Sequence, residues 1–393
     1  MKKRILIINK SFAMGGIQTS LINMLECIKD FYEIDLLIYH PEGPLKKNVP
    51  ESVRVIKPSW RLEALGMSLA HCIKHGTIKQ KAFRVIMTIW TKLFSNNLPA
   101  TIAAKHEPKR SGYDAVITYH HEVGRHTVTG AFIQVACMCA DASRRIAWVH
   151  NDSSSYQLIK DEAWNEKSYA KMDRIIACSS AVKEHFIEKH PALGDKTFHL
   201  NNFCNAQKMI EKSLEKQCVT YKNNCFICFS ASRLFEIKGI ERAIRAIAPI
   251  LKDKRNVMWY IAGDGPNKKS IINTIKQCGV EEYVILIGQV DNPYCYMRNA
   301  DVLMVTSYYE AAPMAYSEAR ILGLPVFTTE LASTREMLSD RNIAHICENS
   351  ENGIFQGFRN MVERIPEIQA KKYAPNPNDT GCDLDVFDQT VFF

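Results

Sequence analysis

The feature that most constrains the fold is a regular alternation of short apolar runs and amphipathic segments in the carboxyl half. The apolar runs are rich in β-branched and aromatic residues, and each is followed by a segment with helical periodicity. The runs are 226–230, 257–262, 283–288, 301–306 and 325–328. Strands that alternate with helices in this way form a parallel sheet covered by helices on both faces. The sequence therefore predicts an α/β, doubly wound domain.

The amino half repeats this alternation with different spacing. Its predicted strands are 4–9, 33–39, 53–56, 114–119, 145–149 and 174–178, and a helix is predicted over 18–28. A chain of 393 residues is long for one domain, so we expect two. The polar stretch 201–224 is typical of an interdomain linker. We therefore predict domains at 1–202 and 203–365 and a tail at 366–393, for which a return to the first domain is one option.

Two glutamates lie on either side of a proline directly after the predicted strand 301–306. Glu310 falls in the loop, Pro313 suits the first position of the next helix, and Glu318 lies inside that helix, which should stop at Gly323. Helix N-termini bind phosphate, and carboxylates accept hydrogen bonds from hydroxyl groups. The pattern indicates a ligand with a diphosphate and sugar rings, although a simple strand–loop–helix unit with solvated glutamates is also compatible with it.

Charged residues and glycines follow other strands of the same predicted sheet. Arg233 and Lys238 come after the first strand, and Gly263, Gly265 and Gly288 follow the next two. Ligands of open α/β sheets bind beyond the carboxyl ends of the strands. Two cations at that edge can neutralise a diphosphate, the arginine as a bidentate fork and the lysine as a point charge.

These motifs together resemble the retaining nucleotide-sugar glycosyltransferases of family 4. The resemblance is strongest over 224–330 and includes the Gly263-Asp-Gly-Pro turn and the Gly323-Leu-Pro-Val segment. It extends to the first strand and the Gly15-Gly16 pair after it. The family usually has glycine where this chain has Ala311, which puts in question any backbone geometry with positive φ there.

The resemblance implies the GT-B fold, in which two Rossmann-like domains face each other across a cleft. It implies a donor that is a nucleotide-diphosphate sugar, a UDP-sugar in particular, and transfer with retention of configuration. Arg233 and Lys238 would stabilise the departing diphosphate, Glu310 would hold sugar hydroxyls, and Glu318 the ribose. A histidine of the amino half, His120 or less well His150, would contact the donor sugar or the acceptor. The remaining donor-binding residues would be Gly16, Gly263, Gly265, Gly288, Ala312, Met314 and Ala315.

Composition bounds the cellular context. No apolar run approaches the 18 or so residues of a membrane span, and the start of the chain has too short an apolar run for a signal peptide. The 13 cysteines are scattered in apolar segments, as in a cytoplasmic protein with reduced thiols. Cys225 and Cys228 should face opposite sides of a strand, and Asp383-Leu-Asp385 lies far from every other motif. We therefore predict no metal site and no cofactor beyond the donor substrate.

The segment between Lys57 and Arg110 concentrates positive charge. It holds ten basic and two acidic residues, a balance of +8 that equals the net charge of the whole chain. The apolar and aromatic residues between them predict an amphipathic helix within a helical insertion at about 57–112. Such a helix is typical of an anionic membrane surface, whereas a core helix with a solvated basic face explains the pattern equally well. Nucleic-acid binding is a poorer explanation because no recognised motif accompanies the charge.

The predicted function is transfer of a sugar to a cell-envelope glycan or lipid-linked acceptor, in the cytoplasm or at the inner face of the membrane. A dinucleotide-dependent oxidoreductase would share the alternating fold, but Ala13-Met-Gly-Gly-Ile replaces its glycine fingerprint. A non-catalytic GT-B partner subunit would keep the strands and lose the charged site. All four charged residues are present, which favours an enzyme.

Overall fold

The chain divides into two units. The computed structural model describes residues 2–151, 162–216, 219–338, 344–379, 381 and 383–393. Unit 1 comprises Met1–Phe203 with Gly381–Phe393, and unit 2 comprises Cys204–Thr380. The boundary follows Phe203, one residue beyond the position drawn from sequence. The tail is shared between the units, with its last described residues in unit 1.

Unit 1 is built on a seven-stranded sheet in the order β3-β2-β1-β4-β5-β6-β7. Every described pairing within it is parallel. The strands are β1 (Lys3–Ser11), β2 (Tyr32–His40), β3 (Arg54–Ile56), β4 (Arg110–Thr118), β5 (Ala140–Val149), β6 (Arg174–Ala177) and β7 (Thr197–His199). The six predicted strands are present, and the short edge strand β7 was not predicted.

Helices cover both faces of this sheet. They are α1 (Gly16–Ile28), α2 (Trp60–Gly66), α3 (Leu69–His75), α4 (Ile78–Leu93), α5 (Asn97–Lys105), α6 (Phe132–Cys139), α7 (Glu162–Tyr169) and α8 (Ser180–Lys189). In β1, Ile5 and Ile7 pack into the hydrophobic cluster on one face, and Leu6 and Ile8 into the cluster on the other. Successive strand residues point to opposite faces, so a strand covered on both sides must be apolar throughout.

Unit 2 is built on a six-stranded sheet in the order β10-β9-β8-β11-β12-β13. Its described pairings are also parallel. The strands are β8 (Phe226–Ala231), β9 (Val257–Ala262), β10 (Val284–Gly288), β11 (Val302–Val305), β12 (Val326–Thr329) and β13 (Ala344–Cys347). The five strands predicted from the apolar runs are all present, and β13 is an additional edge strand.

The helices of unit 2 follow its strands in alternation. They are α9 (Ala206–Ser213), α10 (Ile240–Asp253), α11 (Lys268–Cys278), α12 (Tyr294–Asn299), α13 (Met314–Leu322), α14 (Thr334–Leu338), α15 (Glu351–Val362) and α16 (Ile365–Ala370). Helix α9 lies inside the stretch that we interpreted as a linker. Cys225 and Cys228 pack into clusters on opposite sides of the sheet, as the alternation requires. The described cysteines form no disulfide.

The last described residues form α17 (Leu384–Phe392), which packs on the sheet of unit 1. Phe387 and Val391 are fully buried in its core. The Asp388 carboxylate accepts hydrogen bonds from Lys3 Nζ at 2.9 Å and from the Tyr32 hydroxyl at 2.8 Å. Asp383 caps this helix by accepting a bond from the Asp385 amide at 2.7 Å. The Asp-x-Asp spacing therefore serves a helix start.

The basic insertion consists of the helices α2, α3, α4 and α5 rather than one helix. Helix α4 contacts the core through a mixed face. Its buried positions are Gln80, Arg84, Met87 and Thr91, and Phe83 packs against the same core cluster as Met87. Other apolar side chains of this helix are exposed, among them Ile86 at 58% and Leu93 at 70%. The core-helix interpretation therefore accounts for Met87 and Phe83 but not for the exposed apolar side chains. Among the described helices, none has the length and apolar character needed to cross a membrane.

Candidate active site

The first component of the site is the glycine turn after β9, which packs against the loop after β8. Gly263 has φ 149°, and a Cβ atom there would stand 1.9 Å from the Ser232 carbonyl oxygen. A Cβ atom at Gly265 would stand 2.4 Å from the Leu234 carbonyl oxygen. The Leu234 amide in turn donates to the Asp264 carbonyl at 2.9 Å. Only glycine permits this approach, which fixes two strand-end loops against each other.

The loop after β8 carries the two predicted cations. Arg233 is exposed, with its guanidinium 5.1 Å from the ring centroid of Phe235, and it forms no ion pair within the described part of the chain. Lys238 ends a short 3₁₀ turn, and Gly239 then adopts a left-handed conformation with φ 63° at the start of α10. A Cβ atom at Gly239 would lie 2.2 Å from the Thr306 carbonyl oxygen, so this turn packs closely on the end of β11.

Lys238 and Glu310 form a direct ion pair through Nζ and Oε1. Both side chains are mostly buried, with 21% and 18% of their surfaces exposed. The Ser307 hydroxyl donates to the same carboxylate oxygen at 2.8 Å, and the Thr306 hydroxyl donates to the Lys238 carbonyl at 3.2 Å. We expected the lysine and the glutamate to serve different parts of a ligand. In the structure the two side chains pair with each other.

Helix α13 begins at the edge where this ion pair lies. Pro313, with φ −61° and ψ 118°, precedes the helix, so it lies one position earlier than predicted. No side chain caps the helix start. Met314 and Ala315 are its first two residues, and Ala312 precedes Pro313. The helix ends at Gly323 with φ 69°, as the sequence predicts. An uncapped helix start offers N–H groups and a positive dipole end to an anion.

Glu318 points from α13 toward Tyr294, whose hydroxyl donates to the carboxylate at 3.4 Å. Desolvation by burial raises the pKa of Glu318 to about 7. The residue as a whole is half-buried. Ala311 is not among the described non-glycine residues with positive φ, so the usual glycine is not needed for the backbone here. Gly288 at the end of β10 has φ 76° and open space where a Cβ atom would lie.

The site residues predicted in the amino half lie in unit 1. Gly15 has an extended conformation, with φ 169°, and Gly16 begins α1. His120 follows β4 and is 9% exposed, its Nδ1 lies 3.0 Å from the His121 carbonyl oxygen, and its ring stacks on Phe132. Burial lowers the pKa of His120 to about 4, so the ring is neutral at physiological pH.

Two further histidines each have a ring nitrogen that forms no hydrogen bond with the described residues. These are Nδ1 of His121 and Nε2 of His150, which are buried without a hydrogen-bond partner among the described residues. The ring of His150 lies 4.7 Å from that of Tyr119, and burial lowers its pKa to about 3. Neutral imidazoles of this kind can donate to or accept from an uncharged hydroxyl group. The assignment of a role to His120 therefore remains a prediction, with His150 as a competitor.

The described residues contain no group of three or more histidine, cysteine, aspartate or glutamate side chains suited to a metal ion. The candidate site of unit 2 consists of two cations, two carboxylates and a helix start at one sheet edge. Such an arrangement can bind an anionic group beside hydroxyl groups. Two of its members, Ser307 and Tyr294, received no role from sequence, because nothing in their spacing shows that they contact the two carboxylates.

Residues 213–367 match the family model described as glycosyl transferases group 1. The matched residues contain the glycine turn, the Lys238–Glu310 pair and helix α13. This part of the chain, the group 1 domain, is therefore similar to the glycosyl transferases group 1. The expected resemblance to glycosyltransferases is confirmed at this level, and the assignment to the retaining enzymes of family 4 stays a prediction.

Relatives of known name extend the comparison. The chain is 22% identical over 402 residues to an α-monoglucosyldiacylglycerol synthase of Acholeplasma laidlawii, covering 96% of this chain and 95% of the relative. It is 29% identical over 197 residues, half of this chain, to a Campylobacter jejuni enzyme named N-acetylgalactosamine-N,N'-diacetylbacillosaminyl-diphospho-undecaprenol 4-α-N-acetylgalactosaminyltransferase. The chain spans 52% of the length of that enzyme and 58% of another curated glycosyltransferase.

A solved structure identifies the architecture around the group 1 domain. Anabaena HepE in complex with UDP and glucose superposes with a TM-score of 0.65 at 16% identity, covering 98% of this chain and 95% of that one. Together with the two parallel sheets, this likeness confirms the GT-B fold. Four of the five strands predicted in the group 1 domain, β8, β9, β10 and β11, carry the candidate site residues at their carboxyl ends.

Proposed function

We propose that the chain transfers a sugar from a UDP-sugar to a glycan or lipid-linked acceptor with retention of configuration. The observation that carries this proposal is the convergence of Lys238, Glu310 and the uncapped start of α13 at one edge of the unit 2 sheet. The bound UDP and glucose of the HepE complex support the choice of donor. Retention rests on the resemblance to the family 4 enzymes.

The proposed chemistry is electrostatic stabilisation of the leaving nucleotide diphosphate. As the bond from the anomeric carbon to the diphosphate oxygen breaks, negative charge grows on that oxygen. In this proposal Arg233, Lys238 and the amide groups at the start of α13 would take up this charge without a metal ion. Glu310 would accept hydrogen bonds from sugar hydroxyls, and Glu318 from the ribose. Binding of the diphosphate would exchange the Lys238–Glu310 contact for contacts to the donor.

A non-catalytic partner subunit that binds nucleotide is the main competing function. It would require only the binding half of this site. The ion pair of Lys238 with Glu310 favours an enzyme, because a carboxylate beside the diphosphate cation is of no use for binding nucleotide alone. The two functions differ in whether donor is consumed when acceptor is present.

Calorimetric titration of the full chain with UDP-, GDP- and ADP-sugars tests donor binding. The absence of binding at about millimolar concentration for all of them would contradict the proposal. With a donor and an acceptor identified, Lys238→Ala and Glu310→Gln should each lower the transfer rate about 10²-fold or more. Lys252 lies at an exposed position of α10, the helix that follows the 3₁₀ turn of Lys238. Lys252→Ala is the matched control and should leave the transfer rate unchanged.

We also propose that the exposed face of α4 rests on an anionic membrane, which would bring a lipid-linked acceptor to the enzyme. Its apolar side chains include Ile78 at 86% exposure and Phe94, directly after the helix, at 56%. Lysines flank this face, and buried Arg84 has Nε and Nη1 atoms without a partner among the described residues. Apolar groups with surrounding cations are complementary to an anionic lipid surface. The diacylglycerol and undecaprenol in the names of two relatives support such an acceptor.

Vesicle flotation tests this surface. Vesicles containing phosphatidylglycerol should bind the protein, and binding should weaken as salt rises, because each cation near the surface contributes about 1 kcal/mol. Charge reversal by glutamate at Lys79, Lys81 and Lys92 should abolish binding and leave UDP affinity intact. The matched control reverses three exposed lysines of unit 2 at positions Lys252, Lys269 and Lys276. If both triple variants float like wild type, or if wild type does not float, the membrane proposal is wrong. Dimerisation through α4 would instead appear as a change in molar mass.

A further inference from the structure

Arg242 is a buried cation in the first turn of α10, four residues after Lys238. It is 5% exposed. Its Nη2 donates to the Thr306 carbonyl at 3.0 Å and to Asn349 Oδ1 at 2.8 Å, and its Nη1 donates to the Asn349 carbonyl at 3.3 Å. The guanidinium also lies 3.8 Å from the ring centroid of Tyr308. The side chain thus links α10 to the loop that follows β11.

The charge of Arg242 has no carboxylate partner within the described residues. The acidic residue toward this end of α15, Glu351, pairs with Arg245 at 3.3 Å. A buried cation without a counter-ion costs free energy that an aliphatic side chain would not cost at the same position. The neighbouring helix residues Ile240, Ala243 and Ile244 are buried and apolar, so Arg242 is a charged residue among buried apolar neighbours. What the arginine adds is a rigid fork for several oxygen atoms and a contact with an aromatic face.

The groups held by Arg242 belong to the loop that carries Glu310. The Tyr308 amide donates to the Ile237 carbonyl at 2.8 Å, and Asn349 Nδ2 donates to the Tyr308 carbonyl at 2.9 Å. The loop is therefore fixed from one side by the lysine turn and from the other by Asn349, and the guanidinium of Arg242 contacts both the loop and Asn349. Ser307, next to the held Thr306 carbonyl, donates to Glu310.

We propose that Arg242 is a positioning residue that sets the geometry of Glu310 relative to Lys238. It does not touch the donor. By holding the Thr306 carbonyl and the Tyr308 ring, it fixes where the carboxylate stands when the sugar of the donor arrives. This inference rests on the function proposed above, because it assigns Glu310 to the sugar half of the ligand.

A positioning role for Arg242 predicts different effects on the affinity for UDP and on the affinity for a UDP-sugar. A purely structural role would change both affinities together. In the proposed function UDP would contact Arg233, the glycine turn and Glu318, none of which lies in the loop held by Arg242. It would also contact Lys238, whose turn stays bonded to that loop through the Tyr308 amide and the Ile237 carbonyl when the guanidinium is lost. A UDP-sugar adds contacts to Glu310. Loss of the guanidinium should therefore weaken UDP-sugar binding by about tenfold or more, as expected for misplaced charged hydrogen bonds, and leave UDP binding within about twofold.

The experiment measures both affinities by calorimetry for wild type, Arg242→Leu and Arg242→Lys. The probes are UDP and whichever of UDP-glucose and UDP-N-acetylglucosamine binds wild type more tightly. The ratio of the two affinities should fall about tenfold or more in the leucine variant. It should recover only in part in the lysine variant, because an ammonium group cannot reproduce the fork. Arg245→Lys, one turn along on the exposed face of the same helix, is the matched control and should keep the wild-type ratio.

The outcomes distinguish this inference from the proposed function. If wild type binds neither probe, the proposed function fails and the positioning role fails with it. If wild type binds and the ratio is unchanged in both Arg242 variants, only the positioning role is wrong. The inference is also overturned if both affinities fall equally or if neither Arg242 variant folds. Either result would show that Arg242 stabilises unit 2 as a whole.

Discussion

Replacing Glu318 with glutamine should change how the stability of the protein depends on pH. The carboxyl group is held in α13 beside the buried hydroxyl of Tyr294. Burial raises its pKa from 4.5 to about 7. In the folded state it therefore keeps a proton over a pH range in which the unfolded chain has already lost it. The unfolding free energy must fall as pH rises through this range.

The magnitude follows from the two pKa values. Between 4.5 and about 7, at 1.36 kcal/mol per pH unit, the change is at most about 3 kcal/mol. The stabilisation that the protonated carboxyl group gives to the folded state is complete below pH 4.5 and is lost as the pH rises through about 7. Glutamine is neutral throughout and carries no such dependence. The free energy of unfolding of Glu318→Gln, relative to wild type, should therefore rise by up to about 3 kcal/mol as pH increases.

Urea unfolding of both proteins at several values between about pH 5 and pH 8 measures this difference. All other titrating groups are common to the two proteins, so their contributions cancel in the difference. Glu281→Gln, at an exposed position of unit 2, is the matched control and should give a flat difference. A flat difference for Glu318→Gln as well would show that burial does not hold this carboxyl group neutral, and the reasoning would be refuted.

Two further predictions concern backbone space and the returning tail. Gly263→Ala should destabilise unit 2 by several kcal/mol and abolish UDP binding, because its Cβ would stand 1.9 Å from a carbonyl oxygen. Gly288→Ala has open space for its Cβ and should cost only about 1–2 kcal/mol of backbone strain. Thermal unfolding and UDP titration of the two variants check this, and equal behaviour would contradict it. Phe387→Ala should lower the unfolding free energy of unit 1 by about 3–5 kcal/mol, since the ring is fully buried, whereas Val386→Ala at 46% exposure should cost little. Urea unfolding of unit 1 provides the measurement, and similar losses in both variants would show that the tail is not part of the core.

The central strands of both sheets could be predicted because each is covered on both faces and is therefore apolar throughout. Strand β9 is buried at every position, and its sequence could belong to nothing but an interior strand or a short buried helix. The edge strands β7 and β13 were missed because each is only three or four residues long and contains a histidine, so its sequence has no continuous apolar run.

The positions of the site residues could be predicted, but their partners could not. Sequence periodicity placed Lys238 and Glu310 at the ends of β8 and β11, which are neighbours in the sheet. Whether their side chains meet depends on the conformation of two loops. That conformation is set by Gly239 and Arg242, whose contacts with the end of β11 are made across 64 or more residues of sequence. Local patterns carry no information about such contacts.

Helix α4 shows a different limit. Periodicity shows that a helix has an apolar and a polar face, but it does not show which face is buried. Here the polar face turns inward because Gln80 closes a capping box with Thr77 and also donates to Glu63 at 3.1 Å. The usual rule, that apolar side chains pack on the core, holds for Met87 but fails for Ile86 and Leu93 of this helix.

The return of α17 to the sheet of unit 1 affects the order in which the chain can mature during synthesis. Domains generally fold as they leave the ribosome, with the amino-terminal one first. Unit 1 cannot follow this order to completion, because Phe387 and Val391 of its core are made only after the whole of unit 2. The group 1 domain can complete its folding while unit 1, which precedes it in the chain, still lacks the core residues supplied by α17. Until then the aromatic surface around Tyr32 stays uncovered, and a nascent chain arrested within unit 2 would present that surface to chaperones.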